Sequence, residues 1–257
     1  MPFPAYRDRY LPAFTAAQIA ALPDKASIPV IVPTGAIEQH GPHLPVAVDS
    51  FLGQVWVERV CAALPADFPL LVAPPITVGK SNEHVGFPGT LAISKHTLRL
   101  QLLAIAAQLK EWGFRRMLIL NTHGGNSAVL VYTMREIEHR MGMSAGYLRN
   151  QAKIELPLLE RTYGFHANTV ETALLYATAP AFTRPEAAPR HYPGSLEDPG
   201  ELRPEFAPAT YSWASQDISP HGVMGDATVA TAEDGARWID AIVDGFVAEL
   251  TGPASTS

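Results

Sequence analysis

The stretch "PTGAIEQHGPHLPVAVDS", residues 33–50, gathers Glu38, His40, His43 and Asp49 among glycines and prolines. A plain turn is built from glycine, proline, asparagine or serine. Two imidazoles and two carboxylates are instead the groups that hold divalent cations and move protons. In extended backbone Glu38 and His40 point to the same side, because side chains alternate. Asp49 lies nine residues beyond His40, at the start of a helical pattern, where on its own it reads as an N-cap. Another imidazole, His123, follows a separate apolar run in "NTHGGN". Converging from separate elements, these four suit a divalent transition metal such as Zn, Mn or Fe. A bridging carboxylate would admit a second ion roughly 3.5–4 Å from the first. His40, His123 and Asp49 could alternatively form the facial triad of a mononuclear Fe(II) redox enzyme.

Three further groups carry chemistry. Gly124 and Gly125 open a helix and could form a backbone nest for an anion, or let backbone amides approach substrate. On that nest alone, the chain would be a non-catalytic metabolite- or anion-binding module. The loop "GKSNEHVGFPGT", residues 79–90, offers Ser81, Glu83 and His84 for substrate, or is an ordinary surface loop. In "FHANTVETALL", His166 has the chemistry of a general acid or base. Glu171 falls in a first helical turn, where an acid also favours the helix dipole. Cys61, the single cysteine, sits in an apolar helical pattern and reads as packing.

Strands and helices must bring these groups together. "IPVIVPTG", "PLLVAPPI", "RRMLILN" and "MSAGYL" read as strands. Helices are predicted over "DSFLGQVWVERVCAAL", "SKHTLRLQLLAIAAQLKEWG", "SAVLVYTMREIEHRMG", "TVETALLYATAP" and "TAEDGARWIDAIVDGFVAEL", with Ser94 as N-cap and Gly113 as stop of the second. This β-α alternation predicts an α/β fold, a three-layer α/β/α sandwich on a mostly parallel sheet. The strands are continuous apolar runs, as helices on both faces require. In such a sheet ligands gather beyond the carboxyl ends of the strands, which is where both "EQHGPH" and "NTHGGN" would open. One domain is expected over residues 1–250, with a proline-rich excursion at 180–220, where Phe182, Tyr192, Phe206, Tyr211 and Trp213 would pack. A frayed tail is expected at 251–257. A net charge of −6 argues against nucleic acid or an anionic membrane as partner. No apolar run is long enough to span a bilayer, and the N-terminus lacks a signal-peptide core, so a soluble, cytoplasmic protein is expected.

"PTGAIEQHGPHLPVAVDS", "EHVGFPGT", "NTHGGN", "HANTVET" and "GVMGDATVAT" together resemble the creatininase family of metal-dependent amidohydrolases, over most of residues 28–236. The resemblance implies a cleft holding one or two divalent ions, Zn, Mn or Fe. Their ligands would be Glu38, His40, Asp49 and His123, with Asp49 bridging, Glu171 the remaining ligand and His166 the proton-transfer group. It implies hydrolysis of a non-peptide C–N bond in a small amide, cyclic amide or formamide, and a homohexamer. Creatininase proper has a bulky aromatic and an acid where this chain has Gly124 and Gly125, which points away from creatinine and assigns completion of the second metal site to Glu171. The "HGGN" form resembles the wider family, which includes deformylases and a peptidase of redox-cofactor maturation.

Overall fold

The computed structural model describes residues 3–193 and 213–252. A short helix α1 (Ala16–Ala21) is closed by a capping box between Thr15 and Gln18. Then β1 (Pro29–Thr34), α2 (Val48–Ala63), β2 (Leu71–Val72), α3 (Lys95–Glu111), β3 (Arg116–Asn121), α4 (Ser127–Met141) and β4 (Ser144–Tyr147) alternate as expected. Next come α5 (Leu158–Tyr163), α6 (Thr169–Thr178), β5 (Arg190–His191), α7 (Ser215–Ile218), β6 (Gly225–Asp226) and α8 (Ala232–Thr251).

The main sheet runs β2-β1-β3-β4, every pair parallel. Strand alternation sorts its side chains into two layers. Ile31, Val72, Leu118 and Leu120 pack with Trp56 of α2, Leu174 of α6 and Trp238 of α8. Val30, Val32, Met117 and Ile119 pack with Leu98 and Leu102 of α3 and with Leu130 and Ile137 of α4. The sheet is therefore covered on both faces, the three-layer α/β/α arrangement. Cys61 lies in the first layer, where burial pushes its thiol up to about 11 and keeps it protonated.

The structure departs from expectation at several places. Asp49 is no N-cap: α2 begins at Val48 after Ala47, and Asp49 lies within the first turn, its carboxylate turned to His40 and His123 instead. β2 keeps only two residues of "PLLVAPPI", since Pro74 and Pro75 have no N–H for the ladder. Helices α1, α5 and α7 were not foreseen, because six residues or fewer show no readable period. In the excursion, Phe182 is exposed, whereas Tyr192 donates to Glu160 Oε2 at 2.7 Å and Trp213 meets Phe165 edge-on at 6.2 Å. Phe206 and Tyr211 lie outside the described residues. Helix α8 holds Thr251, the first residue of the expected tail, and residues 253–257 lie outside the description.

Candidate metal centre

β1 and β3 pair in register to their ends, Thr34 opposite Asn121, so the segments leaving them emerge side by side. Asn126 fastens these segments: its Oδ1 accepts from Lys80 N at 2.9 Å and its Nδ2 donates to Gly35 O at 3.1 Å. Asn121 Nδ2 holds His123 O at 2.8 Å, and Thr122 Oγ1 donates to Asp49 O at 2.8 Å, tying α2 to the end of β3. Gly35 is required here, because a Cβ would lie 2.9 Å from the backbone of Ser50.

Asp49 lies between two imidazoles, and Glu38, His40 and Asp49 bring donor atoms within reach of one point. His40 Nε2 lies 3.5 Å from Asp49 Oδ1 and 3.8 Å from Glu171 Oε2. His123 Nδ1 lies 3.4 Å from Asp49 Oδ2 and 3.2 Å from Glu38 Oε2. His40 Nδ1 donates to Glu38 O at 3.1 Å, which leaves Nε2 as the lone pair. Glu38 Oε2, His40 Nε2 and Asp49 Oδ2 are buried and have no hydrogen-bond partner among the described residues. Buried polar atoms are almost always partnered. Three orphans aimed into one space, on carboxylate and imidazole groups, fit a divalent cation.

Charge within the cluster is redistributed accordingly. Burial disfavours the Glu38 carboxylate, yet His123 and then His84 and His166 hold it well below the usual range. Asp49 is raised by burial and by the charge of Glu38. Burial and the neighbouring Asp49 carboxylate push Glu171 up to about 7, against the pull of His40. Burial would depress His40, but Asp49 outweighs it and lifts the imidazole to about 9. His123 is likewise carried well above its ordinary value against burial, by Glu38. Burial keeps His166 well below 6.5 and takes His84 to about 4.

His166 and His84 sit beside these groups, each near Glu38 Oε1, at 3.5 and 3.6 Å. His166 Nε2 donates to Gln39 O at 2.7 Å, so Nδ1 carries the lone pair toward Glu38. Its ring lies 4.3 Å from that of His40 and 4.2 Å from that of His84. Gln39 went unnoticed in the sequence although it stands between two singled-out residues. Its Oε1 accepts from Gly41 N at 2.9 Å, and its Nε2 donates to Gly222 O at 3.0 Å and lies 2.9 Å from His84 Nδ1. At the start of α6, Asn168 caps the helix by accepting from Glu171 N at 3.0 Å. Ala167, with φ of +49°, turns its N–H to Glu171 Oε2 at 2.6 Å. A positive φ on a non-glycine residue is the kind of strain that functional sites store.

Most of the remaining expected residues fold against the donors. Ser81 Oγ is buried 3.2 Å from His123 Nε2, and His84 is buried against Gln39. Glu83 pairs with Lys80 Nζ at 2.9 Å and faces His123. Gly124 opens the turn before α4, and a Cβ on Gly125 would meet Glu83, His123 and Lys80. His43 stands apart from the donors, its Nε2 2.8 Å from Thr172 Oγ1 on α6.

Comparison with known proteins extends this picture over nearly the whole chain. The mycofactocin precursor peptide peptidase of Mycolicibacterium smegmatis is 32% identical over 218 residues, 84% of this chain and 81% of that protein. The 3-dehydro-scyllo-inosose hydrolase of Thermotoga maritima is 27% identical over 234 residues, covering 84% of this chain and 74% of its own. A solved structure described as "Creatininase Mn" shares the fold, with a TM-score of 0.74 at 23% identity over 95% of this chain and 99% of that one. The creatininase family model, described as creatinine amidohydrolase, matches residues 12–250 and so takes in every element that reaches the cluster. The chain belongs to the creatininase family, whose members include hydrolases.

Proposed function

We propose that this chain is a metal-dependent amidohydrolase that cleaves a C–N bond in a small amide, cyclic amide or formamide. The observation that carries the reading is Asp49, which presents one oxygen to His40 and the other to His123, with unpartnered buried donors on either side. His40, Asp49 and Glu171 would hold one divalent ion, and Glu38, Asp49 and His123 a second. Zn, Mn and Fe are all compatible with such a set. Divalent ions there would supply an acidified water and polarise the substrate carbonyl.

The chain's own residues supply the rest. His166 is neutral and aims Nδ1 toward the donors, so it accepts a proton there and returns it to the leaving nitrogen. The Gln39 carbonyl on Nε2 fixes its tautomer and ring plane. Glu171 would hold an ion; without one, burial and Asp49 raise its carboxyl to about 7. Gly124 is left as the residue of "HGGN" where backbone could meet substrate. A mononuclear Fe(II) centre on His40, His123 and Asp49 is less well supported, since two further carboxylates, Glu171 and Glu38, lie beside the same imidazoles. A single domain over residues 1–250, a cytoplasmic location and a homohexamer belong to the same reading. Among the described residues no helix is long and apolar enough to cross a membrane.

Elemental analysis of the purified protein, followed by a screen of lactams, formamides and short peptides under Mn, Zn and Fe, tests the proposal. We expect up to two ions per chain and hydrolysis that stops on chelation. Hydrolysis undiminished by chelation, or oxygen consumption without hydrolytic product, would overturn it.

A further inference from the structure

Glu83 is unexplained by the two ion sites. It arrives on the 79–90 loop, well buried, with its Oε2 anchored by Lys80 Nζ at 2.9 Å and its Oε1 3.5 Å from His123 Nε2. His123 is the residue whose opposite nitrogen, Nδ1, faces Glu38 Oε2 and Asp49 Oδ2. Around Nε2 stand only oxygens: Lys80 O at 3.1 Å, Ser81 Oγ at 3.2 Å and the Glu83 carboxylate. The Lys80 carbonyl can only accept, so Nε2 carries the proton and Nδ1 the lone pair offered to a cation. The room for this arrangement comes from Gly125. A Cβ there would overlap Glu83 Oε1 and the His123 ring and would lie 2.7 Å from Lys80 O.

We propose that Glu83 is a positioning residue whose carboxylate, 3.5 Å from Nε2, polarises the N–H that His123 directs to Lys80 O, so that Nδ1 is held as a basic ligand for the ion shared with Glu38 and Asp49, and that Gly125 is the clearance that admits it. The inference rests on the proposed metal-binding reading. A carboxylate behind a ligating imidazole fixes the ring and raises its basicity, and loss of such a partner typically costs 10–100-fold in metal affinity. A carboxylate bound directly to the ion is the competing role, because Glu38, Glu83 and His123 could also present donors to one point. Geometry favours the indirect role: Glu83 is on the Nε2 side of a ring whose Nδ1 side holds the unpartnered oxygens.

The test titrates metal-stripped wild type, Glu83→Gln and Gly125→Ala with Mn(II), reading free ion by EPR, and records visible spectra of the Co(II)-loaded proteins. Wild type should bind two ions. Glu83→Gln should bind one of them about 10-fold or more weakly, with the other unchanged, an unchanged Tm and the same Co(II) coordination number. Gly125→Ala should reproduce that split by displacing Glu83. If Glu83→Gln binds both ions as wild type does, the proposal fails while the metal reading stands. If its Co(II) spectrum shows one oxygen ligand lost, Glu83 is a direct ligand and the positioning role fails. If wild type binds no Mn(II), the metal reading fails and takes this one with it.

Discussion

His166 and His40 illustrate how neighbouring imidazoles are given opposite duties by what touches them. His40 lies within reach of Asp49 and Glu171, and those carboxylates lift it to about 9, the environment of a group that a cation can replace a proton on. His166 is held neutral by burial and by the neighbouring His84 and His40, and its Nε2 is committed to a backbone carbonyl, which leaves the lone pair on Nδ1. A proton carrier that touches no ion contributes typically 10²–10⁴-fold to rate. His166→Ala should therefore retain both metal ions and lose kcat by about that factor; full kcat with intact metal removes it from the mechanism. At this scale the sequence was informative for groups with unmistakable chemistry, such as Glu38, His40, Asp49 and His123. It was silent on Gln39 and Asn126, whose amides look ordinary in a string and act through the distant backbone and side chains they fasten. Glu83 was legible as polar but not as a partner of His123, because that depends on Gly125, far along the chain, having no side chain.

Elements were legible where an apolar period ran long enough, as in β1, β3, α3 and α8, and illegible where structure is local and short, as in α5 and the two-residue strands. The loop between β1 and α2 shows a further device that no period reveals. His43 reaches from it to Thr172 on α6, 129 residues away in the sequence, and Thr172 in turn donates to Ala167 O at 3.3 Å beside His166. This link registers the loop bearing His40 against the helix bearing Glu171. Burial depresses the His43 imidazole from 6.5 to about 4 in the folded chain. A depressed folded value means that its contribution to stability is fully present above pH 6.5 and is lost as pH falls toward 4, because the unfolded chain gains the proton first. Thermal unfolding in chelator should therefore show Tm falling through that window, and falling less steeply in His43→Gln. Equal pH slopes for the two proteins would rule the residue out as the source.

The whole molecule converges on the cluster from β1, α2, β3 and α6. Without a cation, Glu38, Asp49 and Glu171 crowd one buried space, and the raised Asp49 carboxyl shows that its ionised form is disfavoured there. An acid raised in the folded state weakens folding at neutral pH, since its contribution is lost as pH rises through its folded value. Asp49→Asn removes that charge at nearly constant shape and leaves the backbone bond from Thr122 to residue 49 in place. In chelator the variant should match or exceed wild type in Tm. With Mn(II) the order should reverse. An ion at a hundredfold over its Kd adds about 2.7 kcal/mol to the state that binds it, roughly 5–10 °C for a chain of this size. Only wild type has the shared carboxylate through which both ions would contribute. Differential scanning calorimetry of both proteins, with chelator and with Mn(II), decides the matter. A variant that melts below wild type in chelator, or that gains as much from Mn(II), would show that Asp49 stabilises the fold on its own account and that the two donor groups do not meet at its oxygens.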